Sequence, residues 1–240
     1  MNTASQLRKS NDRGHANLGW LDSYHSFSFA EYYDPSHMNY SVLRVINEDV
    51  VAPAKGFGMH PHNNMEIITY MLGGELQHQD SLGNGSVIKA GDVQRMTAGT
   101  GIVHSEFNAS KTQDAHLLQI WILPAQQGLT PSYEDKHFDA AQKQDRWCLI
   151  ASPDGREGSL HVHQDMALYA TILNQSASLD YDLSANRSAY LQVAKGQLLA
   201  NGELLIAGDA LMLDNSQNLH IEAVENAEML LFDLPAHVPH

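Results

Sequence analysis

Residues 59–108 hold the side chains with the clearest chemical potential: His60-Pro61-His62, Glu66, His104-Ser105-Glu106 and Asn108. Side chains two apart on a strand point to the same side of a sheet, so His60 and His62 share a face, as do His104 and Glu106. Brought together, the two pairs would offer three imidazoles and one carboxylate to a single ion. That donor set suits Fe(II), Ni(II), Cu(II) or Zn(II), and affinity alone does not choose among them. Four protein groups on one side of a six-coordinate ion would leave two positions open, enough for an organic substrate and O2 together. A carboxylate ligand and the octahedral preference of iron argue against a closed, structural tetrahedral site.

The elements that must position these residues read as short strands. Ile67 to Leu72 is a strand-like run, Gly56 and Gly58 suit a tight approach to a strand, and Glu66 falls on the face of His60 and His62 by parity. His25-Ser26-Phe27-Ser28-Phe29 alternates like a half-buried strand with both Phe rings on one face. Residues 41–46 form another strand candidate, ended by Asn47-Glu48-Asp49. Onward to Pro124, apolar runs broken by Gly, Asn and Asp predict an all-β barrel or sandwich. Gln119 and Trp121 on its last strand are candidate pocket residues. Residues 124–146, with Pro124, Pro131 and few apolar residues, predict a connector.

Beyond it come strands at 147–151 and 160–173, and the turn pattern returns. Asn84-Gly85 and Ala90-Gly91-Asp92 are echoed 117 residues later by Asn201-Gly202 and Ala207-Gly208-Asp209; the glycine turn at Gly74 is echoed by Lys195-Gly196. The expected architecture is therefore a duplicated β unit: two antiparallel barrels in tandem, residues 1–125 and 126–240, the second closing near residues 230–234. The same offset places Ala177 and Leu179 where the first half has His60 and His62, so the second half lacks that pair. His161-Val162-His163 has the right spacing without partners, and His220-Ile221-Glu222 reads as a strand with exposed polar positions.

Composition limits the alternatives. The 240 residues can bury a substantial core, and 43% are aliphatic or aromatic. The lone Cys148 cannot form an internal disulfide, which fits a reducing compartment, and Trp147-Cys148-Leu149-Ile150 reads as a buried strand. There is no signal-peptide-like start and no apolar run of membrane-span length, so a cytoplasmic protein is the expectation. A net charge of −14 without any Lys/Arg cluster argues against direct nucleic-acid binding.

The spacing of His60, His62, Glu66 and Gly73 resembles the first cupin motif, and the run from Gly91 through Gly99 to His104 and Asn108 resembles the second, with Thr97 where cupins usually carry proline. The combination HPH, TGI-x-HSE-x-N and the opening RGHANLGWLDSYHSFSFAEYYDP resembles the pirin family of bicupins, in particular the bacterial pirin-like proteins described as quercetin 2,3-dioxygenases. The likeness runs from about Arg8 to Pro235. It implies two cupin barrels with one mononuclear divalent metal in the first, Fe(II) before Ni, Cu or Zn, held by His60, His62, His104 and Glu106. Ordinary cupins use the first-motif glutamate as a ligand; pirins use the one after the second-motif histidine, which assigns Glu66 a supporting role.

The resemblance implies a dioxygenase that opens a flavonol ring with O2 and releases CO, with Glu66 or a dissociating Glu106 as the catalytic proton acceptor. A second implied reading is an iron-binding module whose redox state alters its surface for a protein partner. A cupin isomerase or vestigial binder is a third.

Overall fold

The computed structural model describes residues 5–214 and 218–237. The first half supplies β1 (Gln6–Arg8), β2 (Gly14–Asn17), β3 (Leu21–His25), β4 (Leu43–Val51), β5 (Gly56–His62), β6 (Glu66–Gly73), β7 (Glu75–Asp80), β8 (Gly85–Lys89), β9 (Asp92–Thr97), β10 (Ile102–Asn108), β11 (Ala115–Ile122) and β12 (Ser132–His137). One seven-stranded sheet runs β12-β9-β6-β11-β4-β3-β2; a four-stranded sheet runs β5-β10-β7-β8. Met71 and Leu117 of the large sheet pack with Leu76 and Ile88 of the small one, and at the other end Ile67 and Met96 meet Ile102. Burial of the two inner faces closes the sheets on each other. The second half repeats the plan, a seven-stranded sheet with a four-stranded one, around a continuous apolar interior that includes Leu191, Leu198, Leu219 and Leu231. The fold is all-β, with two tandem cupin-type barrels.

β6 explains how the halves join. Ile67, Thr69 and Met71 point into the first barrel; Ile68, Tyr70 and Leu72 point out, into a large cluster with Ile150, Leu168, Tyr190 and Phe232 of the second half. A strand buried on both faces loses the polar alternation of a surface strand. Two strands also cross the division expected at 125/126: β1 pairs with Ala210–Asp214, and β12 pairs with β9. The expected connector thus contains β12 and a short helix, Ala140–Lys143. β12 escapes the apolar pattern because it is an edge strand carrying Glu134, Asp135 and Lys136, the kind of charge that discourages edge pairing.

Three other expectations are corrected. β3 ends at His25; a Phe29–Tyr32 bridge turns the chain, so Phe27 packs on Tyr190 while Phe29 meets Trp121 edge-on at 5.3 Å. β4 does not stop at Asn47-Glu48-Asp49 but runs to Val51, because Asn47 and Asp49 hydrogen bond across to β3. The run 160–173 divides into Leu160–His161 and Ala167–Leu173.

Gly74 and Gly196 confirm the internal repeat at atomic level. Both have positive φ (70° and 77°), and a Cβ would lie 2.3 Å from the Asp114 carbonyl oxygen in one case and 2.1 Å from that of Asn226 in the other. The Asn-Gly echo differs: positive φ falls on Asn201 and Gly202 in the second half but on Gly83 in the first.

Candidate metal centre

The antiparallel register of β5 and β10 places His60 directly opposite His104 and His62 opposite Ile102. Their rings gather accordingly: centroids lie 4.8 Å apart for His60–His62, 4.4 Å for His60–His104 and 4.9 Å for His62–His104. Each of the three offers a ring nitrogen within 4.8 Å of the others. The same reach joins His104 to Glu106 and His78, so His104 belongs to two adjoining groups, with Glu106 in the second.

The site is pre-set for a cation. Burial and the neighbouring imidazoles hold His62 down to about 4 and His104 down to about 3, leaving both neutral near pH 7 with lone pairs available. His60 Nδ1 lies 2.8 Å from the Gly58 carbonyl oxygen, which directs Nε2 outward. His104 Nε2 is fully buried without a hydrogen-bond partner, an orphaned acceptor that a bound metal would satisfy. Burial also raises the Glu106 carboxyl to about 7, against hydrogen bonds from Gln94, Gln119 and Thr69 that favour its ionised form. Gln94 Nε2 donates to Oε1 at 2.6 Å and Gln119 Nε2 to Oε2 at 2.8 Å. Tyr133 in turn donates to Gln94 Oε1 at 3.1 Å.

Glu66 is the sequence-predicted residue that the structure takes elsewhere. Its carboxylate accepts from Thr97 Oγ1 at 3.1 Å and lies 3.3 Å from His163 Nδ1 of the second half. Parity fails because the chain leaves one sheet and enters the other between His62 and Glu66, through Asn64 at φ 46°. On β6, Glu66 then shares the outward face of Ile68 and Tyr70. His161-Val162-His163 is thereby a contact between halves, with His163 against Glu66. His220 pairs with Asp180 at 2.6 Å on an exposed face.

His78 escaped the sequence reading. It is fully buried, its Nε2 is 3.0 Å from Asp80, its Nδ1 is 3.5 Å from His104 Nδ1, and it stacks on Tyr133 at 4.4 Å. The signal was available in β7, where Leu76, His78 and Asp80 alternate with exposed Glu75 and Gln77. Asn108 serves the backbone instead, donating to the carbonyls of Val51 and Gln113.

A cavity of about 380 Å³ opens beside these residues, bordered by His60, His62 and Glu106 and by apolar walls from Leu21, Phe29, Phe57 and Trp121. Gln119 and Trp121, the two candidate pocket residues, both line it. The volume lies in the range of small-molecule sites.

Known proteins match nearly the whole chain. The Pirin profile matches residues 6–122, and that of the quercetinase C-terminal cupin domain matches residues 149–234. The chain is 52% identical to the quercetin 2,3-dioxygenase of Escherichia coli K12, over 95% of this chain and 98% of that one. The crystal structure of YhhW from Escherichia coli superposes with a TM-score of 0.94 at 50% identity, covering 99% of this chain and 100% of YhhW. A nickel(II) complex of the same bacterial pirin matches with a TM-score of 0.93 at 49% identity, covering 97% and 100%. With such identity sustained across both barrels, the chain belongs to the pirin family.

Proposed function

We propose that this protein is a metal-dependent dioxygenase that opens the ring of a flavonol such as quercetin with O2 and release of CO. The observation that carries the reading is the apolar, aromatic-walled cavity bordered by His60, His62 and Glu106. A flat aromatic substrate fits such walls, and the polar groups among the lining residues orient it.

His60, His62, His104 and Glu106 would hold one divalent transition metal, with Fe(II) our assignment and nickel supported by the complex of the related bacterial pirin. When bound, that ion supplies Lewis acidity toward the flavonol oxygen and a place to bring it beside O2. The chain's own residues do the rest. The imidazoles of His62 and His104, neutral at neutral pH, keep lone pairs free. Gln94, Thr69 and Gln119 fix both oxygens of Glu106. Glu106, on leaving the metal, is the group we assign to take the substrate hydroxyl proton. Trp121, edge-on to His62 at 5.0 Å, gives that end of the cavity an aromatic wall.

The test combines metal analysis of the protein as isolated with O2 uptake and CO release on quercetin, for wild type and His62→Ala. Loss of both metal and turnover in the variant ties the chemistry to this site. A metal-loaded wild type that consumes no O2 and forms no CO with quercetin overturns the reading.

A further inference from the structure

We propose that Ser23, His25, Asn47 and Asp49 form a hydroxyl-reading wall of the cavity, in which Asp49 accepts a hydrogen bond from a ring hydroxyl of the bound aromatic substrate. The inference rests on the dioxygenase reading for the identity of that substrate.

The four side chains project from β3 and β4 toward the cavity, and all four border it. They are 2%, 4%, 3% and 4% exposed, respectively. A polar stripe this deep costs stability unless its groups are partnered, and the interior of the second barrel is apolar. Folding alone does not call for it. Two cross-strand pairs build the stripe: the register sets Ser23 opposite Asp49 and His25 opposite Asn47. Ser23 Oγ donates to Asp49 Oδ1, and His25 Nδ1 lies 2.9 Å from Asn47 Oδ1. Each pair is locked through one atom of its acceptor group. Among the described residues no other hydrogen bond reaches the Asp49 carboxylate, so its second oxygen is left for a ligand.

The surroundings set the ligand class. Phe29, Phe57, Trp121 and Leu21 frame the stripe with apolar and aromatic surface. A planar ring slides between such walls, and a phenolic hydroxyl on its edge meets a fixed carboxylate, a charge-assisted hydrogen bond stronger than a neutral one. A carboxylate-bearing ring would meet like charge at the same point. The wall therefore selects hydroxylated, uncharged aromatics over deoxy and acidic ones.

The experiment is a protein-by-ligand cycle. Calorimetric titration under argon, on protein as isolated with its metal, would compare quercetin with flavonols that each lack one ring hydroxyl other than the 3-hydroxyl. For wild type, one of these deletions is expected to weaken binding about tenfold, or about 1.4 kcal/mol; for Asp49→Asn the same deletion is expected to change affinity less than twofold. Ser23→Ala, which unties the carboxylate, gives a second arm: it should alter affinity only for ligands that carry that hydroxyl. Equal losses for both proteins at every deletion, or a Ser23→Ala effect common to all ligands, overturn the wall and leave the dioxygenase reading intact. Wild type that binds no flavonol overturns both.

Discussion

His78 and His104 meet at their Nδ1 atoms, 3.5 Å apart, while Nε2 of His78 lies 3.0 Å from the Asp80 carboxylate. With both His78 and Asp80 side chains fully buried, the hydrogen bonds fix each tautomer. His78 donates its Nε2–H to Asp80, its Nδ1 then accepts from the Nδ1–H of His104, and His104 Nε2 keeps its lone pair. Partners of this kind, one step behind a ligand, typically govern 10–100-fold in metal affinity. His78→Ala should therefore weaken metal retention by about that factor in a chelator competition, with the fold intact by circular dichroism. A variant that holds metal as tightly as wild type would remove His78 from the site.

Gly56 makes the second prediction. A Cβ there would stand 2.2 Å from the Glu106 carbonyl oxygen and 2.5 Å from Phe107 Cα, so β5 must move off β10 to admit it. That pairing is what sets His60 against His104. Gly56→Ala should lower the melting temperature by several degrees, a cost of about 1–3 kcal/mol, and reduce bound metal per chain. Gly58→Ala is the control, since a Cβ at Gly58 meets nothing within 4 Å. Equal behaviour of the two variants would refute the argument.

Glu66 supplies the third. Its carboxylate faces His163 and Thr97 on the outward side of β6, away from the cavity-bordering residues. Glu66→Gln should keep full metal content and turnover within twofold of wild type, whereas Glu106→Gln should lose at least tenfold in metal affinity. A Glu66→Gln enzyme that retains metal but loses tenfold in turnover would restore Glu66 as proton acceptor.

These residues also show where sequence sufficed. Same-face spacing within one strand correctly united His60 with His62, because β5 is unbroken from one to the other. Parity carried past Asn64 to Glu66 failed, because the chain changes sheets there. The turn pattern disclosed the duplication, and the lost pair at Ala177 and Leu179 agrees with a second interior filled by apolar side chains. Asn47 and Asp49 misled for a physical reason: residues that usually end strands here continue one, since Ser23 and His25 of β3 partner their polar groups. β12 was illegible because an edge strand needs charge more than apolar alternation.

The final prediction concerns Asp49 and pH. Burial raises its carboxyl from 3.8 to about 6, against the hydrogen bond from Ser23. The folded protein thus binds this proton more tightly than the unfolded chain does. Between about pH 4 and 6 the unfolded chain has released a proton that the folded one keeps, so stability falls as pH rises through that window and stays lower above it. A shift of this size corresponds to at most about 3 kcal/mol. Asparagine has no such proton to lose. Asp49→Asn should therefore melt at a similar temperature to wild type near pH 4 and several degrees above it at pH 7 to 8, measured on chelator-treated protein so that metal binding adds nothing to either. Glu106 is raised to about 7 partly by the charge of Asp49, so the variant also relieves that repulsion, which widens the gap in the same direction at the upper end of the pH range. Parallel melting curves across the whole range would show that Asp49 is already neutralised by its surroundings. A gap that opens between pH 4 and 6 means that the chain gives up stability at neutral pH to keep an ionised carboxylate beside the cavity, a cost expected of a group retained for a ligand rather than for the fold.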